Sequence, residues 1–285
     1  MSKKFAGVAF TVPVLLTAAL YPTDGSTYPA SNTKFSRSHY FLTSGEEALV
    51  LVPLANAAYA EAANYLYLEP NGFNGIATNF TVPETSGLVA SVTPGVQELV
   101  QAVESQYTAG DFGPDDPLYI FGYSQGAVEE GLAEQQLHDF GIPEDALHLV
   151  MVGDSASTEG GFLNSFVESF PESWQQPITE LLTLEGVTAP TLGATTPDNL
   201  YPTDVYTLTG DGWANWDNGA NIPGMFFDHL AYLDLSPAEI ANATLTTDGL
   251  TDYFTIDSAS VDIWSALWNE LLVELDIVPY TDAIP

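Results

Sequence analysis

Three short, nearly uninterrupted apolar runs constrain the fold of this 285-residue chain more than any other feature. Residues 48–52 (A-L-V-L-V), 118–121 (L-Y-I-F) and 146–152 (A-L-H-L-V-M-V) have the pattern of strands covered on both faces. Between the first two lie a turn with Pro53 and Asn56, an Ala-rich helical stretch to about Leu68, and a second helix. For that helix Thr93 is the expected cap and Pro94 the first-turn residue. Val96, Leu99, Val100, Val103 and Tyr107 share one face, and Gly110 closes it. Residues 127–140 read as a helix ended by Gly141 and Pro143, residues 205–208 as the last strand, and Ser260 as the cap of a final helix carrying Trp264 and Trp268. Strand, helix, strand, helix, strand at this spacing predicts an α/β fold: a mainly parallel central sheet with helices on both faces.

Charge restricts the partners. Four basic residues stand against 38 acidic ones, a formal net charge of −34. Lys3, Lys4, Lys34 and Arg37 are all of the basic residues, so no Lys or Arg follows position 37. Nucleic-acid binding needs cations to neutralise phosphates, which excludes that class. Phosphate-rich cofactors need a cation or a Gly-rich loop, and no G-x-G-x-x-G or Walker-type loop is present, so no cofactor is expected. Neutral or apolar ligands remain. Without cations nearby, acidic side chains of the body must be solvated, protonated or hydrogen-bonded. There is no Cys, which removes disulfides, thiolate metal sites and cysteine catalysis. Four dispersed His with no H-E-x-x-H argue against zinc. In the stretch 211–221 an EF-type loop would need an oxygen ligand two residues before Asn215, where Trp213 stands, so no metal is expected there.

Lys3 and Lys4 precede an uncharged and mostly apolar stretch, with small residues at Thr17, Ala18 and Ala19. Residues 1–20 therefore read as a signal-like segment and residues 21–45, rich in Ser, Thr, Pro and Asn, as a polar linker. The apolar part is short for a membrane span. Export or cell-envelope association is the expectation, with no obligate protein partner. Residues 46–285 form the expected α/β domain. Within it, residues 154–200 interleave Phe162, Phe166, Phe170 and Trp174 with polar side chains, a cap or lid over a site or else plain connecting helices.

Gly122-Tyr123-Ser124-Gln125-Gly126 is G-x-S-x-G, set between an apolar run and a helical pattern. A sharp strand-to-helix turn there projects the serine hydroxyl from the carboxyl edge of the sheet, as in α/β-hydrolase-type folds. The flanking glycines allow a strained backbone, and the helix start favours developing negative charge. Serine alone is a weak nucleophile and needs a base. Of the four His, His39 lies in the linker, His138 more than three turns along the following helix, and His148 inside a strand. His229, in a loop-like stretch after the last strand, remains. The acid should lie between Ser124 and His229, just past a strand end. Asp211, one short turn after residues 205–208, satisfies this, and Asp154, at the end of the third run, is the runner-up. Two aligned backbone donors must hold an oxyanion. Gln125 N–H is one; Leu54 or Ala55 supplies the other, because Pro53 has no N–H.

The ordered set F-G-Y-S-Q-G-A (121–127), V-G-D-x-x-x-x-x-G-G-F (152–162), Y-P-T-D-V-Y-T (201–207) and D-G-W-A-N-W-D (211–217), followed by the His229 region, resembles the PE-PPE domain of actinobacteria. The likeness covers about residues 48–235. It implies a serine α/β-hydrolase related to cutinase-like enzymes, with its triad on Ser124, Asp211 and His229. The implied activity is hydrolysis of neutral acyl or lipid esters through an acyl-enzyme, or acyl transfer onto an envelope sugar or glycolipid. A non-catalytic envelope-binding protein on a hydrolase scaffold is the reading from a different class. The turn P-L-A-N-A after the first run departs from the Gly-rich turn expected at that place.

Overall fold

Side chains that are apolar at consecutive strand positions can all be buried only if both faces of the sheet are covered. The computed structural model describes residues 46–52, 57–82, 88–184 and 193–274. Segments 1–20 and 21–45 and the oxyanion candidates Leu54 and Ala55 lie outside the described residues. Among the described residues the strands are β1 (Glu47–Val52), β2 (Ile76–Thr81), β3 (Leu118–Tyr123), β4 (Leu147–Val152), β5 (Thr203–Leu208), β6 (Thr244–Asp248) and β7 (Thr251–Ile256). They form one sheet in the order β2-β1-β3-β4-β5-β7-β6. Every neighbouring pair is parallel except β6 and β7.

The helices are α1 (Ala57–Ala63), α2 (Leu88–Ala109), α3 (Gln125–Phe140), α4 (Phe162–Glu168), α5 (Glu172–Leu184), α6 (Pro237–Ala241) and α7 (Ile263–Glu274). Alternation along each strand sends its side chains to two separate cores. Leu49, Leu51, Ile120, Leu149 and Met151 pack with Val96, Leu99, Val128 and Leu137 of α2 and α3. Val50, Val52, Phe121, Val150 and Val152 pack on the other face with Leu66, Tyr67, Tyr232 and Leu233. The sheet is therefore mostly parallel and covered by helices and turns on both sides, as its apolar runs predict.

Three local expectations differ from the structure. α2 begins at Leu88 rather than at Thr93, and Pro94 lies inside it. A proline there removes one backbone hydrogen bond without ending the helix, because the turn before it is held by its own bonds. Ser260 does not cap the last helix, since its hydroxyl donates to the Asp257 carbonyl at 2.7 Å. Asp262 takes that role, accepting from the Ser265 N–H at 3.1 Å and the Ser265 hydroxyl at 2.7 Å. Residues 205–208 are not the last strand: β6 and β7 follow, joined at Gly249, which has φ 59°. Their Thr-rich sequences and the exposure of all five β6 residues hide them from a search for apolar runs; the two-residue loop Gly249-Leu250, with Gly in its first position, marks the hairpin.

The described residues include no Lys or Arg, and the interior holds carboxyl groups without a basic partner. Glu130 and Glu134 of α3 are buried, and none of their carboxyl oxygens has a hydrogen-bond partner among the described residues. Burial, then Glu134, Asp154 and Glu129, pushes Glu130 well above the carboxylate range. Burial, then Asp154 and Asp198, pushes Glu134 from 4.5 to about 9. Both are held as neutral acids. A raised folded-state pKa gives a contribution that is complete below the unfolded value of 4.5 and is lost as pH climbs to about 9. One proton corresponds to at most about 1.4 kcal/mol per pH unit. The melting temperature should fall between about pH 5 and about pH 8, and Glu134→Gln should flatten that fall. An identical slope in the variant would exclude Glu134 as its source.

Candidate active site

At the carboxyl end of β3 the chain turns directly into α3, and Ser124 is the residue at the turn. It is one of three non-glycine residues with positive φ among the described residues, at φ 57° and ψ −113°. Such a conformation costs on the order of 1–3 kcal/mol and persists only where its surroundings enforce it. The enforcement is local. Ser124 N–H donates to the Val152 carbonyl at 2.9 Å, extending the β3–β4 ladder, while the Ser124 carbonyl accepts from Val128 N–H at 3.3 Å in the first turn of α3. Gly122 lies against the start of α3, where a β-carbon would fall 2.4 Å from the Gly126 carbonyl carbon. Gly122 is therefore required by close packing of strand on helix, whereas a β-carbon at Gly126 would make only a tight contact, 3.2 Å from the Leu51 β-carbon.

Asp211 follows β5 through a tight turn, its N–H donating to the Leu208 carbonyl at 3.0 Å. The side chain is fully buried. Asn215 and Asn221 hold the loop: each Nδ2 donates to the Thr209 carbonyl at 2.8 Å. Asn215 is the single Asn of the D-G-W-A-N-W-D segment, and Asn221 follows four residues after that segment ends. The segment that carries His229 rests directly on the same loop, and at Gly224 a β-carbon would stand 1.7 Å from the Gly210 carbonyl oxygen.

These elements bring three distant side chains into one line. His229 Nδ1 lies 2.8 Å from Asp211 Oδ2, and its Nε2 lies 2.8 Å from Ser124 Oγ. A neutral imidazole with its proton on Nδ1 donates to the carboxylate and accepts from the serine hydroxyl. Asp211 Oδ1 accepts from Trp213 N–H at 2.9 Å, so both carboxylate oxygens are held. Gln125, whose N–H was the expected oxyanion donor, begins α3 immediately after Ser124. Its side-chain amide donates to Glu129 at 2.8 Å.

Asp154 is not brought to the imidazole. It is fully buried, accepts from Ala156 N–H at 2.8 Å and from the Thr196 hydroxyl at 2.6 Å, and so ties the turn after β4 to the segment before β5. Burial pushes its carboxyl up to about 6 against the lowering effect of those two bonds. His148 pairs with Asp204 at 2.8 Å and stacks on Tyr119, at the amino-terminal side of the sheet rather than at its carboxyl edge.

Two tyrosines of the site escape sequence reasoning. Tyr232 is fully buried; its hydroxyl accepts from Leu208 N–H at 2.8 Å and donates to Asp211 Oδ2 at 2.9 Å. Burial and then the Asp211 charge push this phenol well above its usual 10, which keeps it a donor. Tyr123, the variable residue of the motif, donates its hydroxyl to the His229 carbonyl and so ties the elbow to the histidine turn. Tyr232 lies three residues after His229, but no local pattern marks it, because its partner is reached only through tertiary folding. Tyr232→Phe should lower kcat for ester hydrolysis about tenfold or more, since a hydrogen bond to a charged group contributes about 1.5–3 kcal/mol. KM should barely change. Steady-state kinetics separate the two, and a rise in KM alone would contradict a positioning role.

A strained serine between a parallel strand and a helix, facing a buried histidine and aspartate at the carboxyl edge of the sheet, defines an α/β-hydrolase fold. The sequence model of the PE-PPE domain matches residues 69–261. This chain belongs to the PE-PPE domain family.

Two relatives from Mycobacterium tuberculosis are similar to it. The uncharacterised PPE family protein PPE28 is 28% identical over 75% of this chain and 33% of its own length. Esterase PE16 is 26% identical over 70% of this chain and 39% of its own. The chain thus spans between a third and two-fifths of these relatives. Among solved structures, a cutinase-like protein from Cryptococcus sp. matches with a TM-score of 0.35 at 18% identity, over 66% of this chain and 86% of its own. Human thioesterase 2 matches with a TM-score of 0.35 at 10% identity, over 82% and 97%.

Proposed function

We propose that this protein is a serine esterase that hydrolyses neutral acyl esters through an acyl-enzyme. The observation that carries the reading is the hydrogen-bonded line Ser124–His229–Asp211 built on a strained elbow. Ser124 Oγ attacks the ester carbonyl carbon while His229 Nε2 takes the hydroxyl proton. Negative charge moves to the carbonyl oxygen, where Gln125 N–H at the start of α3 stabilises it. Collapse breaks the bond to the leaving alkoxide, which receives the proton from His229. Water then repeats the sequence on the acyl-enzyme and releases the carboxylic acid. Asp211 keeps the imidazole in the needed tautomer and balances the imidazolium formed in each half-reaction. Kinship with a protein named as an esterase supports the reaction class. The neutrality of the substrate follows from the charge of the chain, which supplies no cation beyond Arg37 to hold an anionic group.

A fluorophosphonate probe tests the proposal directly. It should form one adduct on the Ser124 peptide, lost in Ser124→Ala. Folded protein that neither labels nor turns over any ester would overturn the reading and favour a binding role.

A further inference from the structure

The loop that carries Asp211 carries Trp213 two residues later, and this indole is the first ring of an aromatic strip. Its centroid lies 6.3 Å from that of His229. Phe162, at the start of α4, meets Trp213 edge-on at 5.1 Å. Phe166 follows at 4.8 Å from Phe162, and Phe170 at 5.2 Å from Phe166. Trp216 closes the strip from beneath, 5.2 Å from both Phe162 and Phe166. The spacing of 162, 166 and 170 places the three phenylalanines on one face of α4 and its end.

The strip is fixed in register with the site. Phe162 N–H donates to the Trp213 carbonyl and Trp216 N–H to the Gly160 carbonyl, each at 2.8 Å. Trp216 is buried, whereas Trp213, Phe162, Phe166 and Phe170 each keep part of their surface in solvent. Partly exposed rings in contact with one another, leading away from the proposed catalytic imidazole, form an uncharged track. The indole N–H of Trp213 is already donated to the Met225 carbonyl at 3.2 Å. The phenylalanine side chains have no polar atom, and between residues 162 and 170 the only charged side chain is the exposed Glu168. A polar or ionic group would gain nothing along this track, but methylene groups would lose water contact at each ring.

We infer that Trp213, Phe162, Phe166 and Phe170 form the binding track for the acyl chain of the substrate, and that its length selects medium and long linear chains over short ones. The inference rests on the serine-esterase reading: the acyl carbonyl must sit between Ser124 Oγ and the imidazole, and the track begins at that imidazole. Phe166 and Phe170, the most distant rings along the track, meet only the far part of a long chain.

The test compares kcat/KM for p-nitrophenyl laurate and p-nitrophenyl acetate, below the solubility limit of the laurate, in the wild-type chain, Phe170→Ala and the volume-conserving Phe166→Leu. Losing contact with roughly two methylenes corresponds to about a tenfold change. The laurate-to-acetate preference should therefore fall about tenfold in Phe170→Ala and by a smaller factor in Phe166→Leu, which keeps the α4 packing. A preference unchanged in both variants, or a wild-type chain that favours acetate, overturns the acyl track. Fluorophosphonate labelling of Ser124 in the same samples separates the two levels. Labelled protein with an unchanged preference defeats the track alone, and protein that is unlabelled and inactive on both esters defeats the esterase reading with it.

Discussion

Replacing Ser124 with alanine should lower ester turnover at least a thousandfold, and His229→Ala should do nearly the same. The double variant should be scarcely worse than either single one. The reason lies in the proposed mechanism, in which no acyl-enzyme forms without the hydroxyl and the hydroxyl keeps its proton without the imidazole. Each removal disables the same step, so the losses do not add. What survives is whatever the backbone donor at Gln125 and substrate binding supply. Ser124→Ala keeps the β-carbon, so the strained φ of 57° persists and a stability measurement should show a folded protein. Turnover of Ser124→Ala within tenfold of wild type, on an ester free of background hydrolysis, would remove the serine from the reaction.

The second large effect is expected at Asp211. Asp211→Asn preserves size but reverses the hydrogen bond: an amide placed toward His229 Nδ1 offers N–H where a carboxylate accepted one. The imidazole would then carry its proton on Nε2, the atom that must receive the proton of Ser124, and kcat should drop by about ten-thousandfold. The amide group placed there would also face the Tyr232 hydroxyl, which donates to the same oxygen, while the amide oxygen at the other position still accepts from Trp213 N–H. Asp154→Asn provides the contrast. Its carboxylate oxygens accept from Ala156 N–H and the Thr196 hydroxyl rather than from the imidazole, so the substitution should lower thermal stability while leaving kcat within a few-fold of wild type. Equal kinetic losses in the two variants would mean that the Asp211 contact is not the one that matters.

The features legible in the sequence are those encoded by neighbours along the chain. β1, β3 and β4 appear as apolar runs because parallel strands covered on both faces need apolar residues at consecutive positions. β2, β6 and β7 do not appear, because they lie at or near the edges of the sheet and carry Thr, Asn and Asp on their open faces. The elbow is legible for the same local reason: strand, turn and helix are contiguous. His229 follows by elimination among four histidines, a gain from scarcity rather than from pattern. Tyr232 and Tyr123 are invisible as site residues, since each acts through a partner supplied by another part of the fold.

By itself the sequence determined a mainly parallel α/β sheet, a serine at a strand-to-helix turn, and a body with no Lys or Arg after position 37. All three follow from residue types and spacings that act over a few positions. The tertiary structure alone brings Asp211, and not Asp154, into hydrogen-bond distance of the imidazole, because both follow a strand and only three-dimensional packing puts one of them 2.8 Å from it. It alone placed the phenol of Tyr232 on that carboxylate and set the aromatic strip of α4 beside His229. Hydrogen bonds and ring contacts fall off within a few ångströms, whereas these residues stand many positions apart in the chain, so only the folded backbone can specify which of them meet.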